Sequence, residues 1–352
     1  MNEKMIHTKK KMKSKTKSKT INKTKKKVSV KQVDFPYFKN YVSLNYILKE
    51  LQKLKNYNPI FLKNNPTNRQ LNKFNGRLVI FREDYNKNKS LYGITDYFSQ
   101  YCRVRCINNL KSKDSPYDYF QKNKDKIYQE LLSENKSNKT IGYEDFSEYL
   151  YKNTKQCTNF NTTVVISILK LLKPKRYLDP SAGWGDRLIG AIAYGCEYTG
   201  VDPSNCMNPI YHKIIDELVP RNRQNNYNII QSGFETAIIE SNHYDLVFTS
   251  PPFFDFELYE NDAKQSVEQF NTLEKWLHGF LFPLTEKAYH ALTINGHFGL
   301  YISDYTGISF TKEMFKYINE NLKGFKYQGD IHYWTPENKK VVRTIFFWKK
   351  IS

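Results

Sequence analysis

Short apolar segments alternate with helical stretches over the C-terminal half of the chain. Apolar side chains fill residues 162–172, which predicts a helix with Asn161 or Thr162 as its cap. The first five of the strand candidates that follow are separated by segments long enough for a crossover helix, and the last two by a turn-like loop, TPENKK. The pattern predicts a doubly wound α/β fold: a seven-stranded, mostly parallel sheet that closes with an antiparallel hairpin. The seven strand candidates are 176–180, 197–203, 227–233, 244–250, 297–303, 326–334 and 343–350.

The N-terminal half has a different pattern, in which helical periodicity dominates. A single short strand candidate lies at 77–81. The sequence therefore predicts a mainly helical N-terminal region over 35–155, followed by the α/β domain over 156–352. Apolar residues recur at helical spacing in 41–54, 94–110, 117–135 and 143–154.

The net charge of +20 is distributed unevenly along the chain. Residues 1–31 contain thirteen Lys and one acid, Glu3, and contribute +12, while the other 321 residues carry +8. Residues 1–34 have too few apolar side chains to form a core, so we expect a disordered basic tail. Such a tail is either a solvated extension without a specific partner or a segment that attracts nucleic acid phosphates or acts as a nuclear address.

The hydropathy pattern also bears on location. No apolar segment approaches the ~20 residues that a transmembrane helix requires, and the N-terminus has no apolar core of a signal peptide. Five cysteines without paired spacing agree with a reducing compartment. We therefore expect an intracellular protein, cytoplasmic or nuclear, that is neither secreted nor bound to a membrane.

The first strand of the series ends in LDPSAGWGDRLIGA, residues 178–191. A turn that contains glycine between a strand and a helix lets the backbone approach a ligand at the helix N-terminus. Gly183 and Gly185 supply such a turn, but the third glycine of GxGxxG is missing, which argues against an ordinary NAD site. By itself the turn fits a dinucleotide, a phosphate or no ligand.

The ends of the next two strands add further candidates. Asp202 follows the second strand, 19 residues after Gly183, where an acid can accept hydrogen bonds from ribose hydroxyls. An acid at a strand end is otherwise most often a turn or helix cap, but the glycine turn upstream favours the ribose. Phe234 follows the third strand, where it either lies against a purine ring or packs in the core at the start of a helix. Glu235 beside it is placed to meet polar groups nearby.

The fourth strand ends in TSPPF, residues 249–253. Two prolines stiffen the backbone and remove two N–H donors, so carbonyl acceptors and the Ser250 hydroxyl remain. Such a row suits an amino group that carries two hydrogens, and Phe253 offers a flat face to the planar ring bearing that amine. Because ligands bind beyond the carboxyl ends of strands in open α/β sheets, we expect this corner to lie beside the Gly183 turn.

Together these residues resemble the class I S-adenosylmethionine-dependent methyltransferases, specifically the nucleic acid amino-methyltransferases. LDPSAGWG is similar to the DPFAGSG cofactor loop of that family, and TSPPF to its (D/N/S)-P-P-(Y/F/W) catalytic motif. The resemblance covers roughly residues 160–350 and implies a Rossmann-like methyltransferase domain with S-adenosyl-L-methionine as cofactor. It implies cofactor binding by Asp179, Ser181, Gly183, Gly185, Asp202 and Phe234, and catalysis by Ser250, Pro251, Pro252 and Phe253.

The resemblance also implies a direct transfer. Ser250 and a proline carbonyl would accept the two hydrogens of the amine, draw its nitrogen towards tetrahedral geometry and aim its lone pair at the methyl group. Serine at this position resembles the cytosine-N4 subgroup, whereas the cofactor loop preceding the catalytic motif resembles the cap-adenosine N6 enzymes. The target amine is therefore adenine N6 or cytosine N4, in DNA or RNA.

A separate recognition insert does not fit into the 65 residues between Gly185 and Ser250. Recognition of the nucleic acid would then fall to the N-terminal region, where Arg103 and Arg105 lie near tyrosines and could contact phosphates and stacked bases. A packing helix is the simpler interpretation of this segment. Tyr259 is a further candidate substrate contact.

Two features of these regions have alternative explanations. Cys102 and Cys106 share one helical face without a nearby His, which favours core residues over a zinc site, and we expect no metal. The segment 254–265 is acidic, which indicates either a mobile lid or a substrate that is not a polyanion at this edge. Its acids are Asp255, Glu257, Glu260 and Asp262.

Two other functions remain open. A protein-glutamine N-methyltransferase holds a side-chain amide at an Asn-Pro-Pro-Tyr corner by the same logic, but position 250 is Ser and the basic tail favours nucleic acid. A nucleic-acid-binding protein with an inactive methyltransferase domain is the second alternative. The residues that argue against such a loss of activity are Asp179, Gly183, Gly185, Asp202 and Ser250.

Overall fold

The structure is a computed structural model that describes residues 34–36, 42–62, 79–82, 85–108, 113–134, 141–259, 264–305, 307–334 and 341–352. Almost the whole basic tail lies outside these residues, as do the TPENKK loop and the two acids Glu260 and Asp262. No helix within the described part of the chain is long and apolar enough to cross a bilayer.

The described residues form eleven α-helices and eleven β-strands. The helices are α1 (Leu44–Lys55), α2 (Tyr85–Arg103), α3 (Pro116–Glu134), α4 (Tyr143–Asn153), α5 (Thr162–Leu172), α6 (Asp186–Tyr194), α7 (Asn208–Leu218), α8 (Ser266–Gln269), α9 (Leu273–Trp276), α10 (Phe282–Ala291) and α11 (Thr311–Asn321). The strands are β1 (Ile60–Leu62), β2 (Val79–Arg82), β3 (Ile107–Asn108), β4 (Arg176–Asp179), β5 (Glu197–Val201), β6 (Tyr227–Ile230), β7 (Tyr244–Thr249), β8 (Glu257–Leu258), β9 (Leu292–Tyr301), β10 (Phe325–Trp334) and β11 (Val341–Lys350).

The main sheet has the order β1-β2-β10-β11-β9-β7-β4-β5-β6. Strands β6, β5, β4, β7 and β9 are parallel, and β11 lies antiparallel between β9 and β10. If the strands from β4 onwards in this sheet are numbered along the chain, their order is 3-2-1-4-5-7-6. The dinucleotide-binding order 3-2-1-4-5-6 differs from it only by the inserted antiparallel strand. The predicted mixed, mostly parallel sheet with a terminal hairpin is confirmed.

The predicted count of seven strands is too low. All seven candidates are strands, but β1 and β2 from the N-terminal region extend the sheet, with β2 parallel to β10. The strand candidate at 77–81 is confirmed in its described part, which belongs to β2, and β2 pairs with both β10 and β1. The N-terminal region therefore contributes to the central sheet as well as helices.

Two apolar clusters cover the two faces of the sheet. On one face, α1 and α2 from the N-terminal region pack with α5, α6 and α7 in one continuous core. On the other face, α10 and α11 pack against β9 and the terminal hairpin. Every residue from Thr162 to Leu169 in α5 is buried, because this helix lies between α6 and the N-terminal helices. The hydroxyls of Thr162 and Ser167 donate to the carbonyls of Leu91 and Thr163, so these buried polar groups are satisfied.

A disulfide joins the N-terminal region to the α/β domain. Cys102 in the last turn of α2 is bonded to Cys206, which follows β5, with the two Cα atoms 6.0 Å apart. The spacing of the cysteines in the sequence does not indicate this pairing, since 104 residues separate the two. Cys102 and Cys106 are both buried, as expected of core residues, but Cys102 is not a free thiol.

Candidate functional site

The order of the parallel strands reverses at β4 and β7. The loops after β4, β5, β6, β7 and β9 leave the same edge of the sheet and, together with the segment before α5, enclose a cavity of about 480 Å³. This is the location at which open α/β sheets bind ligands. Most of the residues singled out in the sequence meet at this cavity. Those that line it are Ser181, Gly183, Asp202, Phe234, Glu235, Ser250, Pro251, Pro252, Phe253, Glu257 and Tyr259, together with Cys102 and Cys106 from the N-terminal region.

The loop after β4 depends on its glycines. Gly183 and Gly185 have φ values of 59° and 86°, in the left-handed region that side chains disfavour. A Cβ atom at Gly185 would lie 2.8 Å from Cδ1 of Ile214 on α7, the movable end of a side chain, so the backbone conformation is the stronger reason for glycine there. Gly185 itself does not line the cavity, and its role in the structure is to turn the chain into α6.

Asp179 lies beneath this loop and does not line the cavity. Its carboxylate is fully buried and accepts hydrogen bonds from Nε of Arg187 at 2.8 Å and from the Tyr198 hydroxyl at 2.9 Å. The Arg187 guanidinium also donates to the carbonyl of Ser181. Burial raises the pKa of Asp179, and the Arg187 charge acts against that rise. This buried ion pair therefore supports the loop from below.

Asp202 connects the loops after β4 and β5. Its Oδ2 accepts a hydrogen bond of 2.8 Å from the backbone N–H of Gly183, and its Oδ1 one of 3.0 Å from Ser204. Burial raises the pKa of this carboxyl. The Tyr211 hydroxyl donates to the carbonyl of Gly183 on the other side of the turn. Asp202 thus holds the turn in place while lining the cavity.

Phe234 is held by a lysine that sequence reasoning missed. Nζ of Lys287 on α10 donates to the carbonyls of Phe234, Glu235 and Ala237 at 2.7, 2.8 and 2.9 Å. Burial lowers the pKa of Lys287. The ammonium also lies 5.4 Å from the centre of the Phe234 ring. No local pattern indicates this contact, because 53 residues separate Lys287 from Phe234.

The corner after β7 forms an aromatic wall of the cavity. The ring of Phe253 lies 5.7 Å from that of Tyr301 on β9 and 6.1 Å from that of Phe256. Phe254 has a φ of 50°, an unusual conformation for an aromatic residue. Its side chain is buried against Trp276, at 6.0 Å between ring centres, and this packing holds the turned backbone.

The described acids of the corner loop have partners within the protein. The Tyr305 hydroxyl donates to Asp255. Glu257 accepts from the backbone N–H of Thr158 at 3.2 Å and from the Tyr259 hydroxyl at 2.9 Å, and burial raises its pKa. These two carboxylates therefore accept hydrogen bonds from the protein itself, and they are less available to a ligand than the sequence indicates.

The segment between α4 and α5 is a second part of the site that sequence reasoning missed. Asn159 donates through Nδ2 to Asp96 at 2.7 Å, while its buried Oδ1 has no hydrogen-bond partner among the described residues. The N–H of Phe160 donates to Oδ2 of Asp186 at 3.1 Å, and burial raises the pKa of Asp186 to about 6. Asn159, Phe160 and Asp186 all line the cavity.

Arg103 and Arg105 do not line the cavity. Arg103 is buried and donates to Oε1 of Gln156 at 2.7 Å, to the carbonyl of Cys157 at 3.1 Å and to Asp96. The guanidinium of Arg105 lies 3.6 Å from the centre of the Tyr101 ring. In this structure both arginines contact the protein's own side chains. Within the described residues, no group of three or more His, Cys, Asp or Glu side chains is arranged to hold a metal ion.

No protein-family model and no curated protein matches the chain. Among solved structures, TrmN from Thermus thermophilus is similar with a TM-score of 0.37 and 14% identity. The match covers 54% of this chain and 49% of TrmN, so this chain spans about half the length of TrmN. The tRNA (m1A58) methyltransferase TrmI from Aquifex aeolicus is similar over 56% and 71%, with a TM-score of 0.35 and 12% identity. The glycopeptide N-methyltransferase MtfA, complexed with sinefungin, is similar over 55% and 94%, with a TM-score of 0.37 and 11% identity. Scores and identities this low carry no information about the reaction of this chain.

Proposed function

We propose that the chain is an S-adenosyl-L-methionine-dependent methyltransferase that acts on an exocyclic amino group of a nucleic acid base, adenine N6 or cytosine N4. One observation carries the proposal. The Ser-Pro-Pro-Phe corner and the turn at Gly183 and Asp202 come from different strands, yet they line one cavity at the switch point of the sheet. The methyl acceptor and the methyl donor would therefore meet in a single enclosed volume.

The residues of the cavity fit the cofactor. In this proposal Asp202 accepts hydrogen bonds from ribose hydroxyls, and Phe234 contacts the adenine where it lines the cavity, although most of its side chain packs in the core. The backbone of the Gly183 turn offers close approach without a Cβ atom. When bound, the cofactor supplies a methyl group activated by a sulfonium.

The corner fits an amine acceptor. Pro251 and Pro252 lack backbone N–H groups, so the corner offers the Ser250 hydroxyl and a proline carbonyl as acceptors for the two amine hydrogens. Holding both hydrogens orients the nitrogen lone pair, and orientation supplies much of the barrier reduction in such a transfer. The N–C bond would form as the S–C bond of the sulfonium breaks and S-adenosyl-L-homocysteine leaves. No strong general base is needed before this step, because the nitrogen has then become positively charged and can lose its proton to water.

The aromatic wall favours a planar ring as the group that carries the amine. The rings of Phe256 and Tyr301 lie 6.1 and 5.7 Å from that of Phe253, and stacking of one base on an aromatic side chain contributes ~1–3 kcal/mol. A base in a duplex would have to be flipped out to reach this wall, whereas a base in a single strand is already accessible. The proposed substrate is therefore DNA or RNA.

The proposal is tested by methyl transfer from labelled S-adenosyl-L-methionine to a panel of single- and double-stranded DNA, RNA and protein. We expect label on nucleic acid, and digestion with mass analysis should identify N6-methyladenosine, N4-methylcytidine or their deoxy forms. Label on a glutamine side chain would instead favour the protein methyltransferase alternative. Calorimetry that detects no binding of the cofactor would contradict the proposal at its first step.

A further inference from the structure

Glu257 contacts two segments that are far from it in the sequence and one tyrosine of its own loop. Its Oε1 accepts from the backbone N–H of Thr158 at 3.2 Å and lies 3.5 Å from Nδ2 of Asn108. Its Oε2 accepts from the hydroxyl of Tyr259 at 2.9 Å. The carboxylate follows Ser250 by seven residues, so it joins the loop that begins at the catalytic corner to the N-terminal region and to the segment before α5.

The backbone at the same point makes only a small contribution. Strand β8, which contains Glu257, pairs with β3 over two residues, Ile107 with Leu258 and Asn108 with Glu257. A two-stranded ladder of this length is not stable by itself. Hydrogen bonds to a carboxylate are roughly twice as strong as those between neutral groups. The Glu257 side chain is therefore the stronger link between these segments.

Tyr259 extends the link to the loop after β4. Its ring meets that of Trp184 edge to face at 5.7 Å between centres, and Trp184 lies between the two glycines of the turn. The backbone N–H of Tyr259 donates to Oε1 of Gln265 at 3.0 Å. Glu257, Tyr259 and Trp184 all line the cavity. A continuous set of contacts thus runs from the N-terminal region through Glu257 to the proposed cofactor loop.

We propose that Glu257 is a positioning residue of the methyl transfer. Its carboxylate holds the corner loop against Thr158 and Asn108 and orients Tyr259 on Trp184, so that the acceptor and donor halves of the cavity keep one relative placement. This inference rests on the proposed function, because its effect on rate requires methyl transfer. It also makes the N-terminal region a structural part of the active site.

The test compares Glu257→Ala with Glu257→Gln. Glutamine keeps an acceptor for Thr158 and Asn108, and its amide can donate to the Tyr259 hydroxyl, so we expect its kcat within about fivefold of the natural protein. Alanine removes all three contacts, and we expect kcat to fall about 100-fold with a much smaller change in KM for the nucleic acid, since small misplacements have effects of this size. Equal losses in the two variants, or full activity in Glu257→Ala, would overturn the proposal.

Two further variants keep the test decisive if Glu257→Ala folds poorly. Tyr259→Phe removes only the hydroxyl and should lower kcat severalfold in a protein that retains Glu257. In the double variant with Glu257→Ala it should cause no further loss, because contacts in one network are not additive. Additive losses would contradict the proposal. Glu130→Ala is the matched control: it removes another Tyr–Glu hydrogen bond, to Tyr149, whose residues do not line the cavity. It should leave kcat unchanged.

A spectroscopic measurement separates this proposal from the proposed function. The fluorescence emission spectrum of Trp184 is obtained by subtracting the spectrum of the Trp184→Phe counterpart from that of each protein. We expect Glu257→Ala to shift this emission and Glu257→Gln to leave it unchanged. If the natural protein transfers no methyl group, the proposed function fails, while the Trp184 emission still reports whether Glu257 orders the two loops. An unshifted emission in Glu257→Ala would contradict the role of Glu257 by itself.

Discussion

Nζ of Lys287 lies 2.7 Å from the carbonyl oxygen of Phe234, and it donates to two further carbonyls of the same turn. One ammonium from α10 thus holds the backbone on which the proposed adenine-binding side chain is mounted. A turn with three carbonyls converging on one point requires a cation or several donors there, since unpaired buried carbonyls are costly.

The first prediction concerns this lysine. Lys287→Met should weaken the affinity for S-adenosyl-L-methionine about tenfold, which corresponds to ~1.4 kcal/mol, because the Phe234 turn loses its three hydrogen bonds. Isothermal titration calorimetry measures the effect. Lys350→Met is the matched control, since Lys350 also donates to two oxygens, of Asn242 and Leu292, but neither of these residues lines the cavity, whereas Phe234 does. Equal affinities in the two variants would argue against the role of Lys287.

The second prediction concerns the catalytic corner. Ser250→Ala removes one of the two proposed acceptors for the amine hydrogens, so kcat should fall by about 10²-fold or more, the scale seen when one transition-state hydrogen bond is removed. The dissociation constant of the cofactor should change little. Single-turnover methyl transfer and calorimetry measure the two quantities. The exposed Ser241 supplies a control, Ser241→Ala, and undiminished turnover in Ser250→Ala would exclude the proposed mechanism.

The third prediction concerns pH and stability. Burial raises the pKa of Asp186 to about 6, from 3.8, so the folded protein binds this proton more tightly than the unfolded chain. The free energy of unfolding therefore decreases as pH rises from about 4 to about 6, and this group does not change it further at higher pH. In Asp186→Asn the amide oxygen can still accept from Phe160, but the titration is absent. The free energy of unfolding of this variant, taken relative to that of the natural protein, should therefore rise by about 3 kcal/mol between pH 4 and pH 7.

Urea unfolding at several pH values measures this difference. Asp216→Asn, on the exposed face of α7, serves as the control and should leave the pH profile of the natural protein unchanged. Parallel profiles for the natural protein and Asp186→Asn would show that Asp186 titrates normally.

The fourth prediction concerns the disulfide. Reduction of the Cys102–Cys206 bond should lower the free energy of unfolding by about 4 kcal/mol, because the bond closes a loop of more than 100 residues in the unfolded chain. Urea unfolding with and without a dithiol reductant measures the loss. Cys206→Ser should be insensitive to the reductant, whereas Cys196→Ser, which changes a buried free thiol, should respond as the natural protein does. A natural protein that is equally stable with and without reductant would contradict the prediction.

Much of the fold could be predicted from local patterns. Buried parallel strands are apolar throughout, and the crossover helices between them have one apolar face, so the alternation from 162 to 350 indicates a doubly wound sheet. The two motifs were recognisable for a related reason. The left-handed conformations at Gly183 and Gly185 and the missing donors at Pro251 and Pro252 are properties of the residue types themselves.

Only the tertiary structure decided which distant side chains meet. The two extra strands, the contacts of Lys287 and Glu257 and the Cys102–Cys206 bond each join segments that are dozens of residues apart or more. The inward orientation of Arg103 and the placement of Asp179 below the loop after β4 follow from the same packing. Residue type constrains the backbone locally, and it therefore determined the elements and the two motifs. A long-range contact depends on how complete helices and strands pack together, and no local pattern contains that information.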